Sequence, residues 1–359
     1  MIGLIIMWGA AIGTILAALA VYRYNTGKLK KNNKNLLDLY KKKASRLRPV
    51  SKSGDEFKYR LRDYYIASSH NSCCGNEFFF DYVDYEPLKQ VIKQGARCLD
   101  FEIYSVDGNC VVAAGKNASF DVKGTFNSLP ITKVFQTVHQ YACKGSATCP
   151  NPSDPLFLNL RIKSHRSEIY NQIADALKSN FPNLLSKNDK KYAFEAHGEN
   201  IGQCPLGAFV GQVIVIVDNK DNKYKKTRLE ELINFTSSTP FFRQLRNYEV
   251  VYTHDMEGLI DYNRKNMTIT TPDYSSDNKN VPAGLHHRFG CQFVCMNYQN
   301  MDKNLDYYID FFQGKGTAFV LKPKNMRYVK KYIPIPKQAN PELSFQPRAI
   351  IMPQYQGWM

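Results

Sequence analysis

Two strand patterns between residues 64 and 104 constrain the fold of this chain more than any other stretch. The first reads YYIASSHN: it is apolar up to Ser68 and then presents His70 and Asn71 side by side. A strand that delivers polar groups at its carboxyl end has this pattern. We therefore take His70 and Asn71 as candidate site residues.

The second strand pattern, CLDFEIY, alternates apolar residues with two carboxylates. Asp100 and Glu102 stand at positions i and i+2, so both side chains point to the same face of the strand. Like charges this close need a cation, a proton or water in order to coexist. The pattern predicts a charged site shared by Asp100 and Glu102.

Strand and helix patterns alternate along the body of the chain, which begins near Phe57. This alternation favours a parallel α/β barrel, and the run GQVIVIV is typical of a fully buried central strand. The predicted helices include 131–141 and Ser167–Asn180. The predicted strands are 64–68, 97–103, 110–113, 156–162, 212–217, 248–253, 291–296 and 318–321.

Residues 1–22 carry no charged side chain and form a nearly unbroken apolar stretch. About 20 such residues cross a bilayer as a helix. Two interpretations stay open. We favour a retained single-pass anchor, and the alternative is a signal peptide cut after Ala20, which would leave the protein secreted or lumenal.

Residues 23–48 hold ten Lys and Arg against Asp38 alone, so they carry +9 of the chain's formal charge of +16. By the positive-inside rule this flank stays cytosolic, which would put the barrel on the cytosolic side. We predict a basic juxtamembrane linker over residues 23–56, near anionic lipid headgroups. No nucleic-acid partner is expected, because no DNA- or RNA-binding signature accompanies the basic residues. The nine cysteines, an odd number without CxxC spacing, fit a reducing cytosol.

Both strand patterns resemble the X half of phosphoinositide-specific phospholipase C, in which they read I-A-S-S-H-N and G-x-R-C-h-E-h-D. Two later segments, HRFGCQFVCMNYQ (287–299) and GTAFVLKPKNMR (316–327), are similar to its Y half. The resemblance implies a phospholipase C-like TIM (β/α) barrel, here preceded by one N-terminal transmembrane helix. We expect an X-like half at 57–219, a short connection at 220–246, a Y-like half at 247–332 and a Pro-rich tail at 333–359.

The resemblance also implies a chemistry. Family members cleave a phosphodiester by attack of the inositol 2-hydroxyl on phosphorus. His70 matches the histidine that stabilises charge on the phosphoryl oxygens. Asn71, Asp100 and Glu102 match ligands of Ca²⁺, an ion that takes six to eight oxygen ligands, but the two carboxylate types are exchanged. This makes His70, Asp100 and Glu102 the candidate catalytic residues.

Four departures from the family pattern predict a remodelled site. The second family histidine, the general acid, falls at Ala114, and the remaining metal carboxylate falls at Arg161. The two phosphate-reading lysines fall at Ile216 and Asp218. The R-h-Y-P headgroup clamp falls at residues 269–272, without its Arg or Tyr.

Arg161 has two interpretations. As in bacterial family members, a guanidinium could fill the metal position and contact phosphate; in the interpretation that we favour, it neutralises buried acids in a retired site. Lys116, two residues past Ala114, is a candidate phosphate ligand and replacement acid. Other candidate acids are His139, His165 and His197.

Three functions are therefore carried forward. We favour a membrane-anchored, catalytically impaired member that binds a lipid or a partner, with an anionic membrane surface and a phosphoinositide as the expected ligands. The second is an active phosphatidylinositol or related phosphodiesterase with altered or no calcium dependence. The third is a structural membrane component of an assembly. The oligomeric state is left open.

Overall fold

The computed structural model describes residues 2–41, 43, 45–51, 53–116, 122–145, 147–188, 198–218, 222–274, 277–330, 334 and 347–359. It divides into two compact units, Met1–Arg327 and Tyr328–Met359. The first unit contains the barrel and the N-terminal helix. The second contains a β-hairpin.

Eight parallel strands form a nearly closed barrel, which confirms the predicted fold class. In sheet order they are β7, β6, β5, β2, β1, β11, β10 and β9, and the two end strands lie in contact. The short strands β3, β4, β8 and β12 pair antiparallel at the margins. The bounds are β1 Tyr64–Ser69, β2 Cys98–Val106, β3 Asn109–Ala113, β4 Leu129–Pro130, β5 Leu156–Lys163, β6 Val213–Val217, β7 Phe235–Thr236, β8 Ser238–Thr239, β9 Phe242–Arg246, β10 Met267–Thr271, β11 Phe293–Met296 and β12 Phe319–Leu321.

Large apolar side chains fill the barrel interior. The ring of Phe293 lies 5.0 Å from that of Phe157 and 6.2 Å from that of Phe242, measured between centroids. All five residues of β6 are buried, as expected for a central parallel strand. Burial on both faces explains why this strand is a continuous apolar run rather than an alternating one.

Helices cover the outside of the barrel. They are α1 Ile2–Tyr40, α2 Tyr85–Lys93, α3 Ile131–Val138 with a following π-turn at His139–Cys143, α4 Ser167–Asn180, α5 Asn247–Val251, α6 Met256–Lys265, α7 Ala283–Arg288 and α8 Lys303–Lys315. Caps fix several helix ends. The side chains of Asp84 and Asp302 cap the starts of α2 and α8, and the backbone of Gly316, in the left-handed conformation, ends α8.

Helix α1 differs from the predicted linker at residues 23–56, because it continues without a break to Tyr40 and packs on the barrel. The Asn32 amide donates to Asp81 at 2.9 Å, and the Tyr40 hydroxyl donates to the Tyr298 carbonyl at 2.6 Å. Leu36 is buried between them. Asn32, Leu36 and Tyr40 are spaced four residues apart and so lie on one helix face, which gives the basic segment a packed side.

The first part of α1 is long and apolar enough to cross a membrane, although a signal sequence would have the same length and composition. From Met7 to Tyr22 its large apolar side chains are exposed. All nine cysteines are free, including Cys143 and Cys149.

Three further segments differ from the sequence-based expectations. Residues 248–253 were predicted as a strand, but α5 occupies most of them, because the side chains of Glu249 and Asp273 accept hydrogen bonds from the first backbone amides. The predicted connection at 220–246 contains β7, β8 and β9, whose apolar residues Phe235 and Phe242 pack into the barrel. The predicted tail contains a hairpin of β13 Ala349–Met352 and β14 Tyr355–Trp358.

Candidate active site

Three neighbouring strands bring the predicted site residues together at the carboxyl end of the barrel. His70 and Asn71 follow β1, and Asp100 and Glu102 lie on β2. The register of β5 against β2 sets Arg161 opposite Glu102. None of these five residues is more than 5% exposed. We call them the strand-end cluster.

The Arg161 guanidinium occupies the centre of the strand-end cluster. Its Nε and Nη2 atoms donate to the two Asp100 carboxylate oxygens at 2.8 and 2.7 Å. Its Nη1 atom donates to Glu102 Oε1 at 2.5 Å, and Nη2 also donates to Asn71 Oδ1 at 2.7 Å. This planar fork matches a carboxylate with two parallel hydrogen bonds, which a lysine could not do.

Neighbouring groups satisfy the remaining carboxylate oxygen atoms. The Asn159 amide donates to Asp100 Oδ1 at 2.8 Å, and the backbone N–H of Asn71 donates to Asp100 Oδ2 at 2.9 Å. Glu102 Oε2 accepts from the Tyr104 hydroxyl at 2.9 Å and from the backbone N–H of Gly115 at 2.8 Å. Every carboxylate oxygen in the cluster therefore has a donor, as a stable buried polar network requires.

His70 lies against the same network. Its Nδ1 atom is 3.0 Å from Asp100 Oδ2, and its Nε2 atom is 3.3 Å from the Asn71 amide nitrogen. These partners assign the proton to Nδ1, which donates to Asp100, and leave Nε2 as an acceptor. The edge of the imidazole packs on Phe78, with the two ring centroids 5.5 Å apart.

Charge pairing sets the protonation states in the cluster. Burial raises the pKa of Asp100, but Arg161 and His70 outweigh it and hold that pKa well below its ordinary value. Burial and the Arg161 charge lower the pKa of His70, against the opposing effect of Asp100. Burial lowers the pKa of Arg161, but Asp100 and Glu102 raise it well above its ordinary value. At neutral pH the cluster therefore holds an ionised Asp100, a charged Arg161 and a neutral His70.

The cluster does not fit a calcium ion. Calcium takes six to eight oxygen ligands at about 2.3–2.6 Å. Oxygens of Asn71, Asp100 and Glu102 instead accept hydrogen bonds from the guanidinium of Arg161. Arg161 stands at the position of the remaining metal carboxylate of the family pattern. Within the described ranges, no group of three or more His, Cys, Asp or Glu side chains is arranged to hold a metal ion.

Among the residues that the structure describes, no histidine lies at the position of the second family histidine. Ala114 is fully buried just after β3, and its carbonyl accepts from Gly124 and Thr125. Lys116 is half-buried, with its Nζ 4.3 Å from the centre of the Phe79 ring. His139 packs on Phe181. His165 is exposed, and His197 lies outside the described residues.

Three residues near the cluster were missed in the sequence. The Arg246 guanidinium lies 3.7 Å from the centre of the Tyr274 ring, and the Lys163 ammonium lies 5.4 Å from it. The Arg246 charge lowers the pKa of His70, after the larger effects of burial and Arg161. Lys163 stands two residues after Arg161 on β5, so the strand period could have placed it on the same face. Arg246 and Tyr274 come from other strand ends and had no such signal.

Access to the cluster is narrow on the side of α1. The cavity that touches His70 and Asn71 has no room for a water-sized sphere, and Leu36 and Tyr40 of α1 form part of its wall. A phospholipid headgroup could not reach His70 along this side without movement of α1.

Comparison with known proteins agrees with this architecture. The family model for the X domain of phosphatidylinositol-specific phospholipase C matches residues 57–216, and the model for the Y domain matches residues 215–325. PLC21 of S. officinalis has a similar fold, with a TM-score of 0.62 and 18% identity, and the match covers 79% of this chain and 39% of that one. PLC21 of L. pealei gives a TM-score of 0.62 at 17% identity, over 79% of this chain and 40% of that one.

Two curated relatives are similar to this chain in sequence. The human 1-phosphatidylinositol 4,5-bisphosphate phosphodiesterase zeta-1 is 23% identical over 334 residues, which cover 76% of this chain and 51% of the relative. The mouse 1-phosphatidylinositol 4,5-bisphosphate phosphodiesterase beta-2 is 29% identical over 92 residues, which cover 25% of this chain and 8% of the relative. The chain thus spans about half the length of the human relative. With the X and Y domains both matched in sequence order on one parallel barrel, the chain belongs to the phosphatidylinositol-specific phospholipase C family.

Proposed function

We propose that this protein is a membrane-anchored member of the family whose phosphodiesterase site is catalytically impaired, and that it acts at the membrane by binding a lipid or a partner. The observation that carries the proposal is the position of Arg161. Its guanidinium forms hydrogen bonds with oxygens of Asn71, Asp100 and Glu102, which would otherwise be available to bind a metal ion.

The missing general acid supports the same proposal. In the family chemistry a second histidine protonates the leaving group, and general acids contribute about 10²–10⁴-fold to such reactions. Ala114 offers no proton at this position, and the Lys116 ammonium packs on Phe79. His70 alone could stabilise charge on a phosphoryl oxygen, but only after protonation, which its lowered pKa opposes.

Helix α1 supports the membrane part of the proposal. It has the length and apolar composition of a membrane span, and its large apolar side chains from Met7 onward are exposed. The basic residues that follow would keep the barrel on the cytosolic side, next to anionic lipids.

A second candidate is a metal-independent phosphodiesterase. The observation that favours it is the contact between Arg161 Nη2 and His70 Nδ1, which lie 3.5 Å apart. A fixed cation beside a histidine can stabilise the negative charge that develops on a phosphoryl group. This candidate would need a proton donor from a group other than Ala114.

One assay separates the two candidates. The full chain is reconstituted into phosphatidylinositol vesicles, and release of inositol phosphate is measured with calcium and with chelator, beside a His70→Ala variant. We expect no turnover above the His70→Ala background in either buffer. Turnover that is lost in His70→Ala but unchanged by chelator would establish the metal-independent enzyme and refute impairment.

A further inference from the structure

A large cavity lies away from the strand-end cluster, between α1 and the loops that follow β1 and β11. Its volume is about 660 Å³. On the α1 side it is lined by three cations, Arg23, Lys28 and Lys31. On the other side it is lined by Asn76 and Gln299, with neighbouring glycine and methionine residues. We call this space the α1 cavity.

Hydrogen bonds hold the two walls of the α1 cavity in place. The Gln299 side-chain amide donates to the Asn76 carbonyl at 3.2 Å, which links the two loops. The Lys28 ammonium donates to the Phe80 carbonyl at 2.8 Å and lies 3.3 Å from Asp81, which fixes the helix to the loop after β1. The cavity is therefore built into the fold.

The cavity has an excess of positive charge. Asp81 neutralises Lys28, but Arg23 and Lys31 are exposed and form no ion pair with any described residue. Leu36, Leu39 and Met301 add apolar surface beside these cations. A ligand that complements this lining carries a phosphate or other anion next to an apolar portion.

The position of the cavity along α1 selects the source of that ligand. Arg23 directly follows the apolar stretch at residues 1–22, which is long enough to span a bilayer. Lys31 lies eight residues further on, or about 12 Å along the helix. This interval begins at the edge of the hydrocarbon region and crosses the layer of lipid headgroups.

We propose that the α1 cavity binds one anionic glycerophospholipid, with its phosphate between Arg23 and Lys31 and its acyl chains along the exposed apolar side of α1. The inference rests on the proposed membrane anchoring of α1. It is independent of the strand-end cluster, because the residues that line the cavity include none of the five cluster side chains.

The test uses the full chain in nanodiscs of phosphatidylcholine with a minor fraction of phosphatidylglycerol. After extraction, lipid that stays bound to the protein is counted by native mass spectrometry. The cavity variant is Arg23→Gln with Lys31→Gln. The matched control is Lys30→Gln with Lys34→Gln, which removes the same charge from exposed positions of the same helix outside the cavity.

We expect the wild-type protein and the control to retain one phosphatidylglycerol, and the cavity variant to bind it about 30-fold more weakly, since it loses two cationic contacts with the phosphate that the control keeps. Equal loss in both variants would show diffuse surface attraction and overturn the proposal, as would no loss in either. Displacement of the lipid by added inorganic phosphate would show a free-anion site and would also overturn it. Carbonate washing of membranes that contain the full chain tests the anchor separately: release of wild-type protein would refute the anchoring, whatever the lipid count.

Discussion

The strand-end cluster and the α1 cavity handle charge in opposite ways. In the cluster, Arg161 is surrounded by two carboxylates, and each of their oxygens already has a donor within the protein. In the cavity, Arg23 and Lys31 face open space without an ion pair among the described residues. A site whose carboxylate oxygens already have donors within the protein has little left to offer an ion, whereas cations without an ion pair can still bind an anion. This contrast is the reason for placing the proposed anion site beside the barrel rather than at its centre.

The largest expected effect comes from opening the cluster. Arg161→Ala should lower the free energy of unfolding by about 3–5 kcal/mol, because it leaves Asp100 and Glu102 buried without their counterion. Urea unfolding of the full chain in mild detergent measures this loss. Arg228→Ala is the control, because the Arg228–Asp175 pair is exposed and should contribute less than about 1 kcal/mol. Equal unfolding midpoints for wild type and Arg161→Ala would contradict the role given to Arg161.

The next effect tests the wall of the cavity. Leu36→Ala should cost about 2–4 kcal/mol, because Leu36 is 3% exposed where α1 packs on the barrel. The adjacent Leu37 is 46% exposed, so Leu37→Ala should change the unfolding free energy by no more than about 0.5 kcal/mol. The same unfolding assay compares the two variants. If both were silent, α1 would not be docked and the cavity would have no wall.

Acid should lower the stability of the fold by a smaller amount, through three buried histidines, of which His70 belongs to the strand-end cluster. Burial lowers the pKa of His70, of His286 to about 4 and of His287 to about 3. Below the ordinary histidine value near 6.5, the unfolded chain takes up protons that the folded chain refuses, so stability falls as the pH falls. The described residues that line the α1 cavity include no histidine or carboxylate.

His287 offers a direct measure of this acid sensitivity. Its ring nitrogens have no hydrogen-bond partner among the described residues, and its ring packs against Tyr65 and Phe311. His287→Phe should therefore reduce the dependence of unfolding free energy on pH between 6 and 4 by up to about 1.4 kcal/mol per pH unit. His254→Phe, at an exposed position, is the matched control. An unaltered slope in His287→Phe would show that this histidine is not held neutral in the fold.

The cluster was predictable because its geometry follows from strand periodicity and pairing. Asp100 and Glu102 share a face by their spacing, and the family motif placed His70 and Asn71 beside them. The register of β5 then sets Arg161 opposite Glu102. The convergence of Arg246 and Tyr274 near Lys163 was not predictable, because it depends on how separate strand ends close into a barrel.

Two local errors show where composition misleads. The aromatic and β-branched residues at 248–253 favour a strand by propensity, yet Glu249 and Asp273 satisfy the backbone of a short helix there. The charges after Arg23 suggested a solvated linker. The four-residue spacing of Asn32, Leu36 and Tyr40 instead indicates a helix with one face that packs against the barrel.

The unbroken course of α1 has a mechanical consequence. Membrane-spanning helices tilt by about 20° on average, and they change their tilt when the bilayer becomes thinner or thicker. Because α1 passes from its apolar part into its docked part without a break, the proposed anchoring of α1 would carry such a rotation to the barrel. A tilt change of about 10° swings the far end of the docked part by about 5 Å relative to the membrane plane. If α1 is the membrane anchor that we propose, bilayer thickness sets how the strand ends of the barrel are turned toward the lipid surface.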